Sequence, residues 1–410
     1  MFAYGYRCFK CGKKYSMEPM LYKCGCGGSL DMQYDYEKIR KELKKNFSEF
    51  KSQQPSHWKY KLFYPVSKRH GNEVSGSAEN LRFSCALVTM NEGGTPLLQS
   101  VKIGKNIGCN LFFKMESANP TGAFKDRGSA VEITKAIEMR AKRVVCATTG
   151  NMGASVAAYC ARAGIRAKIF APDKTPKQKL SQIAAYGAEI FHVKGTYEDA
   201  AVAAEMQSKN HYFLAGDYPY RGEGEKSVGF EIIEQMPKAD YIICPIGNGT
   251  LIYAVWKAVR EMKIVGLIKK LPRLIGVQAE GCNPVVRAFD NDDDHIEPVK
   301  KPKTFADAIA CGNPIDGLEA LSALRESKGV AISVSDSEIL NAIKILGKEG
   351  IYAEPGGAAA TAGLLKIAKR DSPFFRKRFL PARTEKGLFE GKNVVSVVSG
   401  HGLKHPCVKK

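Results

Sequence analysis

The sequence predicts an α/β protein with two lobes, each built on a doubly wound parallel sheet, and a small cysteine-rich segment in front of them. Apolar strands alternate with amphipathic helices from "RVVCAT" onward, a second series of buried strands begins at "YIICPIGNGT", and four cysteines lie within the first 26 residues. Alternation of this kind is typical of βαβ units. We expect a cysteine segment at 1–32, a large lobe at 33–140 and 246–410, and a smaller, mobile lobe at 141–245.

The composition indicates a globular protein with a basic surface. Of the 410 residues, 44% are hydrophobic and 25% are charged, and 62 Lys and Arg against 42 Asp and Glu give a net charge of +20. Such an excess favours anionic partners, whether phosphorylated metabolites, nucleic acid or counter-ions. The basic residues are scattered, which favours a solvated surface. No apolar run reaches the roughly 18 residues of a membrane span, and we expect a cytoplasmic protein that makes no membrane contact.

The cysteine segment has the spacing of a metal site. Two residues separate Cys8 from Cys11 and one separates Cys24 from Cys26, with glycines in both turns. Two such knuckles can converge on one tetrahedral ion, and we predict structural zinc. Four free thiols are the alternative, and the single residue in the second pair leaves an iron–sulfur cluster open.

The elements that follow can be read in chain order. The polar stretch "YEKIRKELKKNFSEF" predicts a linker helix. Strands are then expected at "RVVCAT", "AKIFAP" and "AEIFHV", with the helices "ASVAAYCARAG", "PKQKLSQIAAYG" and "YEDAAVAAEMQSKN" after them. The second series contains the strands "YIICPIGNGT", "RLIGVQAEG", "VAISVS" and "NVVSVVSG" and the helices "SEILNAIKILGKEG" and "PGGAAATAGLLKIAKR". Ligands of such sheets bind beyond the carboxyl ends of the strands.

Two glycine-containing loops follow predicted strands. Gly247, Asn248, Gly249 and Thr250 join a strand to a helix, and backbone N–H groups at a helix N-terminus can hold a phosphate. A plain tight turn would give the same pattern. In "TTGNMGAS", Asn151 stands between glycines and its amide can hold a carboxylate or a phenolic oxygen, although it could also be a helix N-cap.

A lysine lies in the segment "NPTGAFKDRG", where Lys125 follows a turn and an aromatic residue. A lysine flanked by charged residues is often a solvated surface group. A partly buried lysine has a lowered pKa, which frees its amine to form a Schiff base. Lys125 is therefore a candidate nucleophile.

Six segments together resemble one known family. They are "NPTGAFKDRG", "TTGNMGASVAAYCARAG", "PIGNGT", "GVQAEG", "EPGGAAATAG" and "SGHGLK". In this order they resemble the threonine synthases, which are fold type II pyridoxal phosphate enzymes related to the tryptophan synthase β chain. The cysteine segment resembles the N-terminal extension of many archaeal and bacterial members.

The resemblance implies roles for individual residues. Lys125 would form the internal aldimine with pyridoxal phosphate, and Asn151 would bind the phenolic oxygen of the cofactor. Gly247 to Thr250 would hold its phosphate, and Ser399 would lie beside the pyridine nitrogen. Removal of the zinc ion is expected to loosen the cysteine segment and to leave the cofactor site intact.

The family reaction converts O-phosphohomoserine and water to threonine and phosphate. Lys125 would move protons to and from the substrate carbons as general base and acid. Arg221 matches the family arginine that binds the substrate phosphate, and Thr149, Gly150 and Asn151 are also expected to bind the substrate. The partner is thus a phosphorylated amino acid, and we expect a homodimer.

Four positions depart from the family pattern. Met152, Ala215, Gly216 and Leu251 stand where the family has polar residues around the substrate phosphate. This leaves two alternatives open: a related enzyme with an altered substrate, such as a cysteate synthase acting on O-phosphoserine or a serine or threonine dehydratase, and a nucleic-acid-binding protein built on the basic charge. Asp126 after the lysine favours threonine synthase.

Overall fold

The structure is a computed structural model that describes residues 1–67, 87–148, 150–369 and 387–405. The chain forms two compact units. Unit 1 comprises Met1–Gly94, Asn119–Val228 and Ile264–Gly266, and unit 2 comprises Thr95–Ala118, Gly229–Lys263 and Leu267–Lys410.

The strands and helices are numbered in chain order. The strands are β1 (Ala3–Cys8), β2 (Lys14–Ser16), β3 (Leu30–Tyr34), β4 (Leu97–Gln99), β5 (Asn110–Met115), β6 (Arg143–Ala147), β7 (Arg166–Pro172), β8 (Glu189–Val193), β9 (Phe213–Ala215), β10 (Tyr241–Pro245), β11 (Arg273–Ala279), β12 (Val330–Val334) and β13 (Asn393–Val398). The helices are α1 (Tyr36–Lys45), α2 (Phe47–Ser52), α3 (Ile103–Ile107), α4 (Lys125–Glu138), α5 (Asn151–Ala163), α6 (Lys177–Ala185), α7 (Tyr197–Ser208), α8 (Pro219–Glu225), α9 (Ser227–Gln235), α10 (Thr250–Ile264), α11 (Pro284–Asn291), α12 (Gly317–Glu326), α13 (Asp336–Gly347) and α14 (Pro355–Ala368).

Unit 1 contains two sheets. The N-terminal sheet is antiparallel, in the order β2-β1-β3. The main sheet is parallel, in the order β8-β7-β6-β9. Its central strand β6 is almost wholly apolar because helices cover both faces of a parallel sheet, and Val144, Val145 and Cys146 are fully buried.

Unit 2 is built on one larger sheet in the order β12-β11-β10-β13-β5-β4. The pairs from β12 to β5 are parallel, and the edge strand β4 is antiparallel to β5. The last strand of the chain, β13, inserts between β10 and β5. The loops that leave β10 and β13 therefore start from neighbouring strands at the same edge of the sheet.

The prediction of an α/β fold with parallel sheets is confirmed, and the strands predicted at "RVVCAT", "AKIFAP", "AEIFHV", "YIICPIGNGT", "RLIGVQAEG", "VAISVS" and "NVVSVVSG" correspond to β6, β7, β8, β10, β11, β12 and β13. The units do not coincide with the expected lobe boundaries, since 33–94 and 119–140 lie in unit 1. Helix α4 accounts for part of this difference, because it packs against α5 and α8 of the same unit.

The movement of 141–245 as a separate lobe stays a prediction. None of the helices in the described ranges has the length and apolarity to cross a membrane.

Candidate active site

Lys125 is the first residue of α4, and its amine lies among acidic groups. Its Nζ donates to Oδ1 of Asp217 at 2.9 Å and to Oε1 of Glu225 at 3.2 Å. The Lys125 side chain is 14% exposed, and both carboxylates are buried. Burial acts to lower the pKa of Lys125, but the charges of Asp217 and Glu225 outweigh it, so the pKa is raised. The lowered pKa expected from burial alone is thus not found.

Two glycines bring α4 close enough to α8 for these contacts. A Cβ atom on Gly128 would lie 2.6 Å from Cγ of Arg221, and one on Gly224 would lie 2.2 Å from the carbonyl oxygen of Arg127. Any larger residue would push the helices apart. The "DRG" and "GEGE" segments therefore position Lys125 next to Glu225.

Arg221 is fully buried, and its guanidinium group contacts acceptors within unit 1. It forms an ion pair with Glu132 and donates from Nε to the carbonyl of Gly216 at 3.1 Å. It also donates to the main-chain oxygen of Lys125 at 3.2 Å and to Oγ of Ser129 at 3.1 Å. Burial acts to lower its pKa, but the Glu132 charge and other nearby acids raise it overall. Its predicted role as a phosphate ligand stays a prediction, and its contacts here position Lys125.

Asn151 follows the carboxyl end of β6, as expected. Gly150 has a φ of +141°, and a Cβ atom there would lie 2.0 Å from Cδ of Lys179, so the turn requires glycine. Thr148 stabilises the loop, because its Oγ1 accepts from the N–H of Gly150 at 2.8 Å and of Gly153 at 2.9 Å. Thr149 lies outside the described residues.

The predicted phosphate loop connects β10 to α10 in unit 2. Gly249 has a φ of +99°, and a Cβ atom there would lie 2.3 Å from the carbonyl oxygen of Asp316. Thr250 donates to Oδ2 of Asp316 at 2.6 Å, and the main-chain oxygen of Asn248 accepts from the N–H of the same aspartate at 2.9 Å. With Gly247, the loop leads into the N-terminus of a helix of fifteen residues.

Ser399 follows β13 and is buried. The start of α14 approaches it closely, because a Cβ atom on Gly357 would lie 3.4 Å from the Ser399 nitrogen and 2.9 Å from the Gly400 oxygen. Since β10 pairs with β13, Ser399 and the loop of Gly247 to Thr250 start from adjacent strands of unit 2. Lys125, Asn151 and Arg221 belong to unit 1.

The four positions that depart from the family pattern serve packing. Met152 and Ala215 belong to the hydrophobic core of unit 1, and Leu251 is 5% exposed. Gly216 donates its N–H to Oε1 of Glu132 at 2.9 Å. A side chain at Gly216 would meet the ring of Tyr218, with a Cβ contact of 2.9 Å.

The four N-terminal cysteines converge. Their Sγ atoms all lie within 4.8 Å of one another, with Cys8 to Cys26 at 3.5 Å and Cys11 to Cys24 at 3.6 Å. Gly28 leaves room for them, since a Cβ atom there would lie 2.8 Å from the sulfur of Cys8. The prediction that spacing brings these thiols together is confirmed.

The N-terminal sheet and its connecting loop also hold the segment 213–226, which carries the acids around Lys125. Three tyrosine hydroxyl groups form hydrogen bonds to it. The pairs are Tyr6 with the Tyr220 hydroxyl (3.0 Å), Tyr34 with Oε2 of Glu223 (2.7 Å) and Tyr22 with the main-chain N–H of Leu214 (3.1 Å). These contacts argue against the expectation that the cysteine segment is independent of the cofactor site.

Sequence reasoning missed three acidic residues: Glu132, Asp217 and Glu225. A signal was present, because "GDYPYRGEGE" places three acids around one arginine beside a short helix. The sequence could not indicate which of them face the lysine, since that depends on the close approach of α4 and α8.

Comparisons with known proteins agree with this arrangement. Residues 88–374 match the family described as "Pyridoxal-phosphate dependent enzyme". The threonine synthase of Methanocaldococcus jannaschii is 38% identical over 408 residues, which cover 98% of this chain and 93% of that protein. The threonine synthase of a Synechocystis species is 40% identical over 328 residues, covering 78% of this chain and 79% of that protein.

Two solved structures have a similar fold. Maize serine racemase aligns with a TM-score of 0.63 and 26% identity, covering 75% of this chain and 88% of the racemase chain. Threonine deaminase isoform 2 of Solanum lycopersicum aligns with a TM-score of 0.62 and 23% identity, over 82% of this chain and 88% of the deaminase chain. Together, the family match over residues 88–374 and the threonine synthases that are 38% and 40% identical over most of the chain show that this chain belongs to the pyridoxal-phosphate-dependent enzymes and, among them, to the threonine synthase family.

Proposed function

We propose that this protein is a threonine synthase of amino-acid biosynthesis that converts O-phosphohomoserine and water to threonine and phosphate. The 38% identity to a threonine synthase over 98% of the chain carries this proposal. Pyridoxal phosphate, when bound, supplies an aldehyde that condenses with amino groups and a ring that withdraws electrons from the substrate α-carbon.

The residues of each unit suit this cofactor. In unit 1, Lys125 offers a partly buried amine at the start of a helix, and Asn151 offers an amide after the end of β6. In unit 2, the loop of Gly247 to Thr250 combines a left-handed glycine with the N-terminus of α10, which favours a phosphate group. Ser399 would supply a neutral hydroxyl partner for the pyridine nitrogen.

The proton transfers are assigned to Lys125. Once its Nζ is free, the neutral amine can accept the α-proton of the substrate and so become an ammonium ion. The ammonium ion can then return a proton to a neighbouring carbon. Asp217 and Glu225 stabilise that ammonium form by accepting its hydrogen bonds. The main-chain oxygen of Lys125 is held by Arg221, which restricts the position of the helix start.

A direct assay tests the proposal. The full chain loaded with pyridoxal phosphate is incubated with O-phosphohomoserine, O-phosphoserine or threonine, and phosphate and ammonia are measured separately. We expect phosphate release to be fastest from O-phosphohomoserine, with threonine as the second product. Faster ammonia release from threonine would overturn it.

A second candidate is a related enzyme whose substrate carries no phosphate at the leaving position, such as a serine or threonine dehydratase. The observation in its favour is that Arg221 is neutralised by Glu132 and that Met152 and Leu251 present apolar side chains. The same assay distinguishes the two. If the guanidinium binds the phosphate, Arg221→Ala should raise the KM for O-phosphohomoserine more than the KM for threonine.

We also propose that the four N-terminal cysteines bind one structural zinc ion. A tetrahedral site with Zn–S bonds of about 2.3 Å places its sulfurs about 3.8 Å apart, and the pairs here are at 3.5 and 3.6 Å. Metal analysis of the purified chain should give one zinc per chain. Iron with the absorption of a cluster would contradict this assignment.

A homodimer and a cytoplasmic location complete the proposed function. Light scattering from the purified holoenzyme is expected to give twice the chain mass of 44.9 kDa. A mass of 44.9 kDa at assay concentration would contradict the dimer.

A further inference from the structure

The acidic groups around Lys125 outnumber its single positive charge. Asp217 and Glu225 both accept from Nζ, and both are buried. Oε2 of Glu225 is buried and has no hydrogen-bond partner within the described ranges. A carboxylate oxygen in that position is unfavourable when it is ionised, because nothing replaces its lost hydration.

Three other charged or titratable groups lie near Lys125 and Glu225: Arg221, Glu132 and Cys146. Arg221, on the same helix as Glu225, pairs with Glu132 of α4, so its charge is balanced. Burial raises the pKa of the Glu132 carboxyl and of the Cys146 thiol on β6, which keeps the thiol neutral. Asp217 comes from the loop after β9. Glu225 therefore contacts Nζ of Lys125 through Oε1, while its Oε2 has no hydrogen-bond partner in the described part of the chain.

We propose that Glu225 exchanges a proton with Nζ of Lys125, while Asp217 holds the amine in place as a second acceptor. In the exchange, an N–H bond of the Lys125 ammonium breaks and an O–H bond forms on Glu225. The products are a neutral amine and a neutral carboxylic acid, and no charge leaves the buried site. The neutral amine is the form that can attack an aldehyde carbon or take a substrate proton.

Burial raises the pKa of the Glu225 carboxyl from 4.5 to about 7, against the opposing charge of Lys125. Both forms of Glu225 are consequently accessible near neutral pH, as a proton-exchange partner requires. This inference rests on the proposed function, since that function gives Lys125 its proton-transfer role.

The first experiment measures the amine itself in the full chain freed of cofactor. Acetic anhydride modifies neutral amines, and mass spectrometry of the peptide containing Lys125 gives the rate of modification against pH. Removing one negative charge should lower the pKa of Lys125 by about one unit or more, so Glu225→Gln should speed modification at pH 8 at least about tenfold. Asp217→Asn should act in the same direction.

The second experiment identifies which carboxyl carries the proton. Difference infrared spectroscopy of the same protein between pH 6 and pH 8 should show a protonated carboxyl band that Glu225→Gln removes and Asp217→Asn retains. An unchanged modification profile in Glu225→Gln, or a band that survives this substitution, would overturn the proposal.

Glu231→Gln is the matched control, because Glu231 is a buried glutamate paired with Lys114 in unit 2. It should leave the modification profile of Lys125 unchanged, and a shift as large as that of Glu225→Gln would contradict a specific role for Glu225. Circular dichroism verifies folding. If Glu225→Gln does not fold, Glu225→Asp replaces it, and a protonated carboxyl band that is unchanged in Glu225→Asp would overturn the proposal. A wild-type chain that binds the cofactor but releases no phosphate would refute the threonine synthase assignment without changing these results.

Discussion

Each unit of the molecule contains a lysine that is paired with buried glutamate, and the two sites differ in how well the pairing is satisfied. In unit 2, Nζ of Lys114 donates to Glu231 at 2.7 Å, to Gln235 at 2.9 Å and to the Thr95 carbonyl at 2.8 Å. Three acceptors match the three protons of an ammonium group. This pair has the contacts of a structural ion pair.

The lysine of unit 1 is surrounded differently. Lys125 is partly exposed, it faces two carboxylates, and Oε2 of Glu225 has no partner in the described part of the chain. The difference shows that burial and an ion pair do not by themselves mark a functional lysine. A surplus of acceptors and an incompletely satisfied carboxyl distinguish the proposed reactive site from the structural one.

Replacement of Lys125, the proposed reactive lysine, should have the largest effect. Lys125→Ala should reduce phosphate release from O-phosphohomoserine by about 1,000-fold or more, because proton transfer and attachment of the cofactor both depend on this amine. Absorption spectroscopy and a phosphate assay measure the two losses. Activity within tenfold of wild type would contradict the assignment of proton transfer and cofactor attachment to Lys125.

Replacement of the structural lysine should affect stability instead. Lys114→Met leaves Glu231 buried without its ammonium partner, and breaking such a pair costs about 3–5 kcal/mol. Urea unfolding measures this change, and phosphate release per folded molecule should stay close to wild type. If the variant were as stable as wild type yet inactive, the comparison between the two lysines would fail.

The pH dependence of stability should separate the sites further. Folding raises the pKa of Glu225 from 4.5 to about 7, so the folded chain binds more protons than the unfolded chain between these values. The contribution of Glu225 to stability is therefore fully present below about pH 4.5 and is lost as the pH rises through 7. It amounts to roughly 3 kcal/mol at most, from 1.36 kcal/mol per pKa unit.

Glu225→Gln removes this titration. Urea unfolding at pH 5 and pH 8 should show wild type losing stability relative to Glu225→Gln as the pH rises. Glu231→Gln keeps Glu225, so wild type should not lose stability relative to Glu231→Gln as the pH rises. Equal pH slopes for wild type and Glu225→Gln would contradict a raised pKa at Glu225.

The smallest expected effect concerns the N-terminal sheet, which contacts the acidic segment of unit 1. Removal of the proposed zinc by a chelator should loosen the hydrogen bonds of Tyr6, Tyr22 and Tyr34, each contributing about 1 kcal/mol. Cofactor retention on dialysis should fall severalfold. Tyr34→Phe should reproduce part of this loss. Unchanged cofactor retention after complete zinc removal would show that the cysteine segment is independent of the cofactor site.

Much of the fold was evident in the sequence. The apolar strands alternate with helices whose polarity repeats every three to four residues, and this pattern depends only on neighbours along the chain. The same local logic made Lys125, the glycine loop before α10 and the four cysteines candidates, because turns, helix starts and ligand spacing are properties of short segments. The resemblance to the threonine synthases then gave Lys125 and the glycine loop their expected roles.

The environment of Lys125 depended on the tertiary structure. Glu225 lies 100 positions from Lys125 and Asp217 lies 92 positions away, and they meet only because Gly128 and Gly224 let α4 and α8 approach closely. The pairing of Arg221 with Glu132 is likewise invisible to local patterns. Residue type and spacing determined which groups could react, whereas the packing of distant helices decided their charge, because the pKa of a buried group depends on its neighbours in space.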